Sequence, residues 1–291
     1  MSEDVNSKAR LRTGLCDLSG GEKLVRRSCP SCGDPNESTA PSRYSLAIWT
    51  LKTCRACRLT YLEQAPEYGA LFRQIAWEKS VTRETEWRHS TRPIQQAISK
   101  SLHWRLRIFP RKKVTALLER YAEPGNLLDL GCGPGGQLDS LDSRFVPYGI
   151  EVSQELAAEA HRRYSARGGY VLNVPSLEGL SRFDPNFFTA AVLHGYLEHE
   201  LHPVPVLQDL HRTLKPGGVV VVKVPNFASL NRLVLGRRWC GFRFPDHANY
   251  FTPASLKAMA IKCGFDPWFG LTWRQSTSDN MWALLIKQSP I

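Results

Sequence analysis

A short apolar segment, 127–130, runs directly into a loop with glycine at positions 131, 133, 135 and 136. Glycine suits such a loop because it adopts positive φ without strain and lets a ligand approach the backbone closely. The residues that follow, 137–141, begin a helical pattern. This order of strand, glycine-rich loop and helix favours an α/β fold, with the loop as a ligand-binding turn.

A carboxylate follows the next predicted strand, 147–150, at Glu151. At the tip of a second strand it is placed to accept hydrogen bonds from the hydroxyls of a ribose. The glycines follow a Gly-x-Gly-x-Gly spacing, with Asp129 two residues before the first of them. A dinucleotide site would place its third glycine one residue later. A glycine-rich loop is weak evidence by itself, because a dinucleotide-binding fold has one too.

The acid and the three spaced glycines resemble the first motif of class I S-adenosylmethionine (SAM) methyltransferases, and Glu151 matches the acid after their second strand. The resemblance implies that the loop wraps the methionine and ribose parts of SAM and that Glu151 binds the ribose hydroxyls. The cofactor-binding residues that we expect are Asp129, Gly131, Cys132, Gly133, Gly135, Glu151, Val152 and His194.

Further segments extend the resemblance over about residues 125–291. A predicted fourth strand, 187–193, continues into HGYLEH, which is similar to the family's stretch ending in Glu-His. The turn LKPGG then precedes a fifth strand, 219–224. These features resemble the bacterial small-molecule branch. They imply a Rossmann-like sheet of seven strands, mostly parallel with the last one antiparallel, in which 272–276 and 281–287 would be the closing strands.

Two Cys-x-x-Cys pairs near the start of the chain predict a zinc ribbon over 25–65. Zn²⁺ prefers four soft ligands in a tetrahedron, and two residues between thiolates let one turn supply two of them. The predicted ligands of this structural Zn²⁺ are Cys29, Cys32, Cys54 and Cys57. Gly33 suits the left-handed turn after the first pair, whereas Arg58 stands where the second knuckle usually has glycine.

A methyl transferase needs a base only where its acceptor arrives protonated, and histidine is the natural base near neutral pH. The candidates for catalytic residues are His199 and His247, together with Glu198. A structural role for His199, in locking a loop, is an open alternative. In some ubiquinone-type O-methyltransferases a related Glu-x-x-Glu-His stretch binds a divalent metal. In this sequence Gly195 occupies the position of the first Glu of that motif, so we predict no metal at this stretch.

Arginine and aromatic residues alternate in a predicted substrate-side insertion, about 226–252. Arginine offers forked donors to phosphate or carboxylate, and aromatic rings can stack on a sugar or another ring. The insertion therefore favours a small anionic acceptor, such as a sugar derivative or a carboxylated metabolite. Methylation of an oxygen atom is favoured over methylation of carbon or nitrogen. The expected substrate-binding residues are Tyr196, Asn226, Arg238, Trp239, Arg243 and Tyr250.

The net charge of +11 also suits an anionic partner. Residues 1–24 are predicted to be a flexible N-terminus, 66–122 a helical connecting or lid segment with a helix at 114–121, and 123–291 the methyltransferase domain. The stretch 100–113 is basic and aromatic, which leaves RNA methylation open as an alternative. A non-catalytic scaffold with this fold is a second alternative.

The longest apolar run is far short of the roughly 20 residues that span a bilayer, and the N-terminus lacks an apolar signal region. We therefore expect a cytoplasmic protein in which the cysteines bind metal rather than form disulfides. The acceptor atom and the oligomeric state are left open.

Overall fold

The computed structural model describes residues 24–46, 48–66, 114–270 and 277–288. Several predicted features lie outside these residues. They are most of the N-terminal segment 1–24, the part of the connecting segment that covers 67–113, the basic stretch 100–113 and the predicted strand 272–276.

The described chain contains twelve strands and six α-helices. The strands are β1 Leu24–Arg26, β2 Leu51–Thr53, β3 Thr60–Leu62, β4 Gln64–Pro66, β5 Asn126–Leu130, β6 Val146–Ile150, β7 Val171–Leu172, β8 Phe188–His194, β9 Leu214–Pro225, β10 Asn249–Tyr250, β11 Phe265–Trp268 and β12 Asn280–Lys287. The helices are α1 Val114–Tyr121, α2 Gln154–Ser165, α3 Ser176–Ser181, α4 Pro203–Thr213, α5 Leu230–Leu235 and α6 Pro253–Lys262.

Seven strands form the central sheet, in the order β11-β12-β9-β8-β5-β6-β7. The pairs among β7, β6, β5, β8 and β9 are all parallel, whereas β12 is antiparallel to both β9 and β11. This arrangement confirms the predicted α/β, Rossmann-like sheet with an antiparallel last strand. The carboxyl ends of β5, β6 and β8 meet at one edge, where ligands bind in sheets of this kind.

The middle strands are apolar on both faces because helices cover the sheet on both sides. In β8, Ala191 and Leu193 belong to one buried cluster, and Ala190 and Val192 belong to the cluster on the opposite face. The alternation follows from the two-residue period of a strand. The continuous run FTAAVLH is thus a central strand that holds His194 at its carboxyl end.

One strand boundary differs from the predicted one, and one strand was not predicted. β9 begins at Leu214 rather than 219, because Leu214 already pairs with Phe188 before a register shift. Gly217 has φ +77° within this stretch, so the predicted turn is an irregularity inside the strand. β11 follows α6 almost directly, at Phe265–Trp268, and pairs with β12.

The ribbon contributes to a second, three-stranded sheet in the order β10-β3-β2. β2 and β3 form its hairpin, and β10 comes from the insertion 226–252. Asn249 pairs with Tyr61, and Tyr250 pairs with Thr60. The ribbon and the insertion are therefore parts of one sheet.

Arg27, in the ribbon, also joins the ribbon to the insertion. Its guanidinium donates to the carbonyls of Leu62, Ala248 and Leu201 and to Oδ1 of Asn249. Burial lowers the pKa of Arg27 to about 10, which leaves it charged near neutral pH. One cation thus ties together the ribbon, the insertion and the loop after β8. Within the described residues, every helix is too short or too polar to cross a bilayer.

Candidate functional site

The loop after β5 has the backbone conformation that its glycines predict. Gly131, Gly133 and Gly135 have φ values of +71°, +53° and +79°. A Cβ on Gly131 would lie 2.9 Å from the ring of Tyr196, whereas one on Gly133 would meet nothing within 4 Å. The first glycine is therefore required by packing, and the second borders open space beside the backbone.

Glu151 faces this loop from the end of β6. Its Oε2 accepts from the N–H of Gly133 at 2.9 Å, and its Oε1 accepts from the N–H of Ser153 at 2.9 Å. Asn173 donates to the carbonyls of Glu151 and Val152 at 2.9 and 3.0 Å. The acid and the glycine loop, predicted from separate segments, thus meet directly.

Asp129 is buried at the end of β5 and accepts a 2.8 Å hydrogen bond from the hydroxyl of Tyr164. Burial raises the pKa of Asp129 to about 7, with a further contribution from Glu151 and an opposing one from Tyr164. Cys132 is also buried, and a Cβ on Gly149 would lie 2.7 Å from its Sγ. Both side chains are therefore part of the buried packing around the loop.

His194 ends β8 at the same edge of the sheet. Burial, and next to it the charge of Lys223, lower the pKa of His194 to about 4, so the imidazole is neutral near pH 7. Tyr196 lies between the glycine loop and the residues that follow. Its hydroxyl is 2.6 Å from Oγ of Ser176 and forms a hydrogen bond with the carboxylate of Glu200.

The three predicted catalytic residues lie together beyond Tyr196. Each of Glu198, His199 and His247 has a ligand atom within 4.8 Å of those of the other two. The rings of the two histidines are 4.8 Å apart. Burial raises the pKa of Glu198 and lowers the pKa values of both histidines. The structure therefore joins residues from the loop after β8 with one from the insertion.

The predicted substrate-binding residues of the insertion divide by exposure. Trp239 is buried, and its indole N–H donates to Asp279 at 2.6 Å. Tyr250 is buried beside it in an aromatic cluster whose other members are Tyr44, Phe227, Phe242 and Phe244. This cluster packs the insertion against the ribbon.

The polar members have different surroundings. Asn226 is fully buried and accepts from the N–H of Ala228 at 3.0 Å. Arg243 pairs with Asp246 at 3.0 Å. Arg238 is exposed. Arg237 is exposed as well, but it donates to the carbonyl of Arg43 at 2.7 Å, so we select Arg238 as the insertion arginine for a ligand.

The four ribbon cysteines lie within 4.8 Å of one another. Sγ of Cys29 is 3.4 Å from that of Cys57, and Sγ of Cys32 is 3.5 Å from that of Cys54. These spacings are close to the roughly 3.8 Å edges of a tetrahedron with Zn–S bonds of about 2.3 Å. The donor set therefore fits a zinc ion.

The two cysteine knuckles share one backbone geometry. The N–H of Gly33 donates to the carbonyl of Cys29 at 2.8 Å, and the N–H of Arg58 donates to that of Cys54 at 3.0 Å. Arg58 adopts φ +63°, close to the +82° of Gly33. Arg58 therefore forms the same turn as the usual glycine, although it must adopt a left-handed conformation as a non-glycine residue.

Sequence reasoning missed Tyr164, Asn173 and Ser176. Asn173 directly follows β7, so the rule that parallel strands end at one edge points to it. Tyr164 lies on α2 and has no local signal, because its partner Asp129 is distant in the sequence.

The residues around the loop fit SAM. The open space at Gly133 leaves room against the backbone, and the carboxylate of Glu151 provides acceptor atoms at the tip of β6, where a ribose diol needs them. The sheet order, the loop after β5 and this acid together define the class: the fold is that of a class I SAM-dependent methyltransferase.

The comparison with protein families supports this class. A family model described as "Methyltransferase domain" matches residues 102–268, more than half of the chain. The chain therefore belongs to this methyltransferase domain family.

Curated relatives match parts of the chain. A trans-aconitate 2-methyltransferase of Methylobacterium nodulans is 32% identical over 108 residues, which cover 36% of this chain and 40% of the relative. An uncharacterized methyltransferase of Schizosaccharomyces pombe is 29% identical over 167 residues, 51% of this chain and 56% of the relative. The match thus spans about half the length of these relatives, or less.

Among solved structures, a SAM-dependent methyltransferase from Archaeoglobus fulgidus has 16% sequence identity and a TM-score of 0.46. The match covers 65% of this chain and 99% of that chain.

Proposed function

We propose that this protein transfers a methyl group from SAM to a small, anionic acceptor, with an oxygen atom as the favoured methyl acceptor. The observation that carries the proposal is the direct contact between Glu151 and the loop at Gly133. It supports one ligand that uses both the backbone of the loop and an acid at the tip of β6.

The loop backbone at 131–135 and the residues Asp129, Cys132, Val152 and His194 would surround the cofactor, and Glu151 would accept hydrogen bonds from its ribose. When bound, SAM supplies a methyl group that its sulfonium has already activated. The protein's own contribution is to bind the cofactor, align the acceptor with it and exclude water.

Glu198, His199 and His247 are our candidates for the residues that receive the acceptor. Tyr196 supports this assignment because its ring packs on Gly131 and it precedes Glu198 by two residues. Nδ1 of both histidines faces a backbone carbonyl, which leaves Nε2 available to a substrate proton or another electrophile.

The anionic acceptor is supported by the exposed Arg238 and by the excess of basic residues. A relative whose name gives trans-aconitate, a carboxylate, as its substrate is consistent with this class. Zn²⁺ at the four ribbon cysteines completes the proposal. As a closed site of four protein ligands it would be structural and would hold the ribbon against the insertion.

The test is release of S-adenosylhomocysteine from SAM in the presence of paired acceptors, each a carboxylate and its neutral amide. We expect turnover with carboxylates and a KM that rises about tenfold in Arg238→Gln, as for loss of one charged hydrogen bond. Arg162→Gln, an exposed arginine on α2, is the control and should leave KM unchanged. Equal turnover of acids and amides would contradict the anionic acceptor.

A further inference from the structure

Two distant segments meet at the cluster of Glu198, His199 and His247. The N–H groups of Ala248 and Asn249 donate to the carbonyl of Glu198 at 2.7 and 3.0 Å. These bonds join the loop after β8 to the start of β10, which the ribbon holds in its sheet. The three side chains are therefore fixed relative to one another by backbone structure.

Both imidazoles form a hydrogen bond with a backbone carbonyl through Nδ1. Nδ1 of His199 lies 2.9 Å from the carbonyl oxygen of Asp246, and Nδ1 of His247 lies 2.8 Å from that of Gly241. A carbonyl oxygen can only accept, so each Nδ1 carries the proton and each Nε2 keeps its lone pair. Histidine ligands of metal ions commonly donate their second ring N–H to a backbone carbonyl in this way.

Glu198 supplies an oxygen that no protein donor satisfies. Its side chain is buried, and among the described residues Oε2 has no hydrogen-bond partner. A buried carboxylate oxygen without a partner is costly, which favours a cation beside it. Lys223 and Arg243 are the nearby positive groups, and Arg243 is compensated by Asp246 at 3.0 Å.

We propose that Glu198, His199 and His247 bind a divalent transition-metal ion of the zinc or iron(II) type, separate from the ion in the ribbon. Two imidazoles and one carboxylate are an established donor set for such ions. His247 would take the place of the acid that is missing at Gly195, so this proposal departs from the sequence-based expectation of no metal at this stretch.

Three protein ligands leave coordination positions open, unlike the closed set of four cysteines. His199 is the partly exposed member of the cluster, whereas Glu198 and His247 are buried. In the framework of the proposed function, on which this step rests, an oxygen of the acceptor would occupy an open position. Metal coordination would then lower the pKa of that oxygen and orient it.

The experiment is to load the full-length protein with Co²⁺, count bound ions per chain and record the visible spectrum. Co²⁺ replaces zinc in both donor sets, and intense thiolate charge-transfer bands report only the ribbon. We expect two ions per chain in the wild type. A single ion with all absorbance assigned to thiolate coordination would overturn the proposal.

Variants assign the second ion. Glu198→Gln and His247→Gln should each lower the content from two ions to one and keep the thiolate bands. His161→Gln, an exposed histidine on α2, should keep both ions. Retention of two ions in both cluster variants would also overturn the proposal.

Titration of the same preparations with S-adenosylhomocysteine separates this proposal from the proposed function. Binding by a wild type that holds one ion would reject the metal site alone. Two ions without binding would reject the cofactor site and leave the metal site standing.

Discussion

The proposed cofactor side and the proposed acceptor side of the candidate site are built in different ways. Most of the cofactor side comes from one continuous stretch, 129–152, in which a loop and an acid follow adjacent parallel strands, and His194 joins it from the end of β8. The acceptor side combines the loop after β8, the insertion and the ribbon, which are far apart in the sequence. The first is set by local geometry, and the second depends on long-range contacts.

This difference gives the ribbon a role in the site. β3 pairs with β10 from Asn249, two residues after His247, and Arg27 donates to the carbonyls of both Leu201 and Ala248. The ribbon therefore supports the two segments that carry the cluster of Glu198, His199 and His247. Perturbing it should affect the acceptor side much more than the cofactor side.

The largest effect is expected from loss of a ribbon ligand. Cys54→Ser removes a buried thiolate from the four-cysteine set and should lower the free energy of unfolding by at least about 4 kcal/mol, because metal binding and folding are coupled. Chemical denaturation measures this effect. Cys240→Ser, at an exposed cysteine outside the set, is the control. Equal stability of the two variants would show that the ribbon does not depend on metal.

A smaller effect is expected at Arg27, which joins the ribbon to the insertion. Arg27→Ala leaves several buried acceptors without their donor and should destabilise the protein by about 3 kcal/mol. Its neighbour Arg26 is 58% exposed and pairs with Glu63, so Arg26→Ala should cost less than about 1 kcal/mol. Both variants should keep their affinity for S-adenosylhomocysteine within about threefold, as measured by calorimetry below the unfolding transition. A large loss of affinity in Arg27→Ala would contradict the independence of the two sides.

The pH dependence tests the cofactor side alone. The folded pKa of Asp129, about 7, lies above its unfolded value, so the folded state binds more protons and stability falls as pH rises between about 4 and 7. Relative to Asp129→Asn, the free energy of unfolding of the wild type should fall by about 2 kcal/mol between pH 5 and pH 7. The groups that face this carboxyl are Tyr164, Glu151 and Cys132. Parallel stability curves for the two proteins would contradict the raised pKa.

The smallest effect on stability is expected at Gly133. Gly133→Ala and Gly217→Ala both place a side chain at positive φ, and neither Cβ would meet an atom within 4 Å. Each should cost about 1 kcal/mol. Only Gly133→Ala should weaken S-adenosylhomocysteine binding, by about tenfold or more, since its methyl group enters the space beside the loop. Equal affinities would remove Gly133 from the cofactor site.

The sequence predicted the sheet class and the four-cysteine cluster, and it assigned the glycine loop and Glu151 to one cofactor site, because each depends on residues with a fixed local spacing. It did not predict that β10 joins the ribbon sheet, since a two-residue strand has no periodic signal. The same limit applies to Trp239 and Tyr250, whose aromatic character suited stacking on a ligand as well as burial. The third member of the cluster, His247, required the long-range pairing to reach Glu198.

The most direct test of the cofactor site is calorimetric titration of the zinc-replete protein with S-adenosylhomocysteine, alongside Glu151→Ala and Glu155→Ala. Glu155 is an exposed acid in the first turn of α2 and serves as the matched control. We expect micromolar binding by the wild type and Glu155→Ala, and a loss of roughly 30-fold or more in Glu151→Ala. Equal binding by all three proteins, or none by the wild type, would contradict the proposed site.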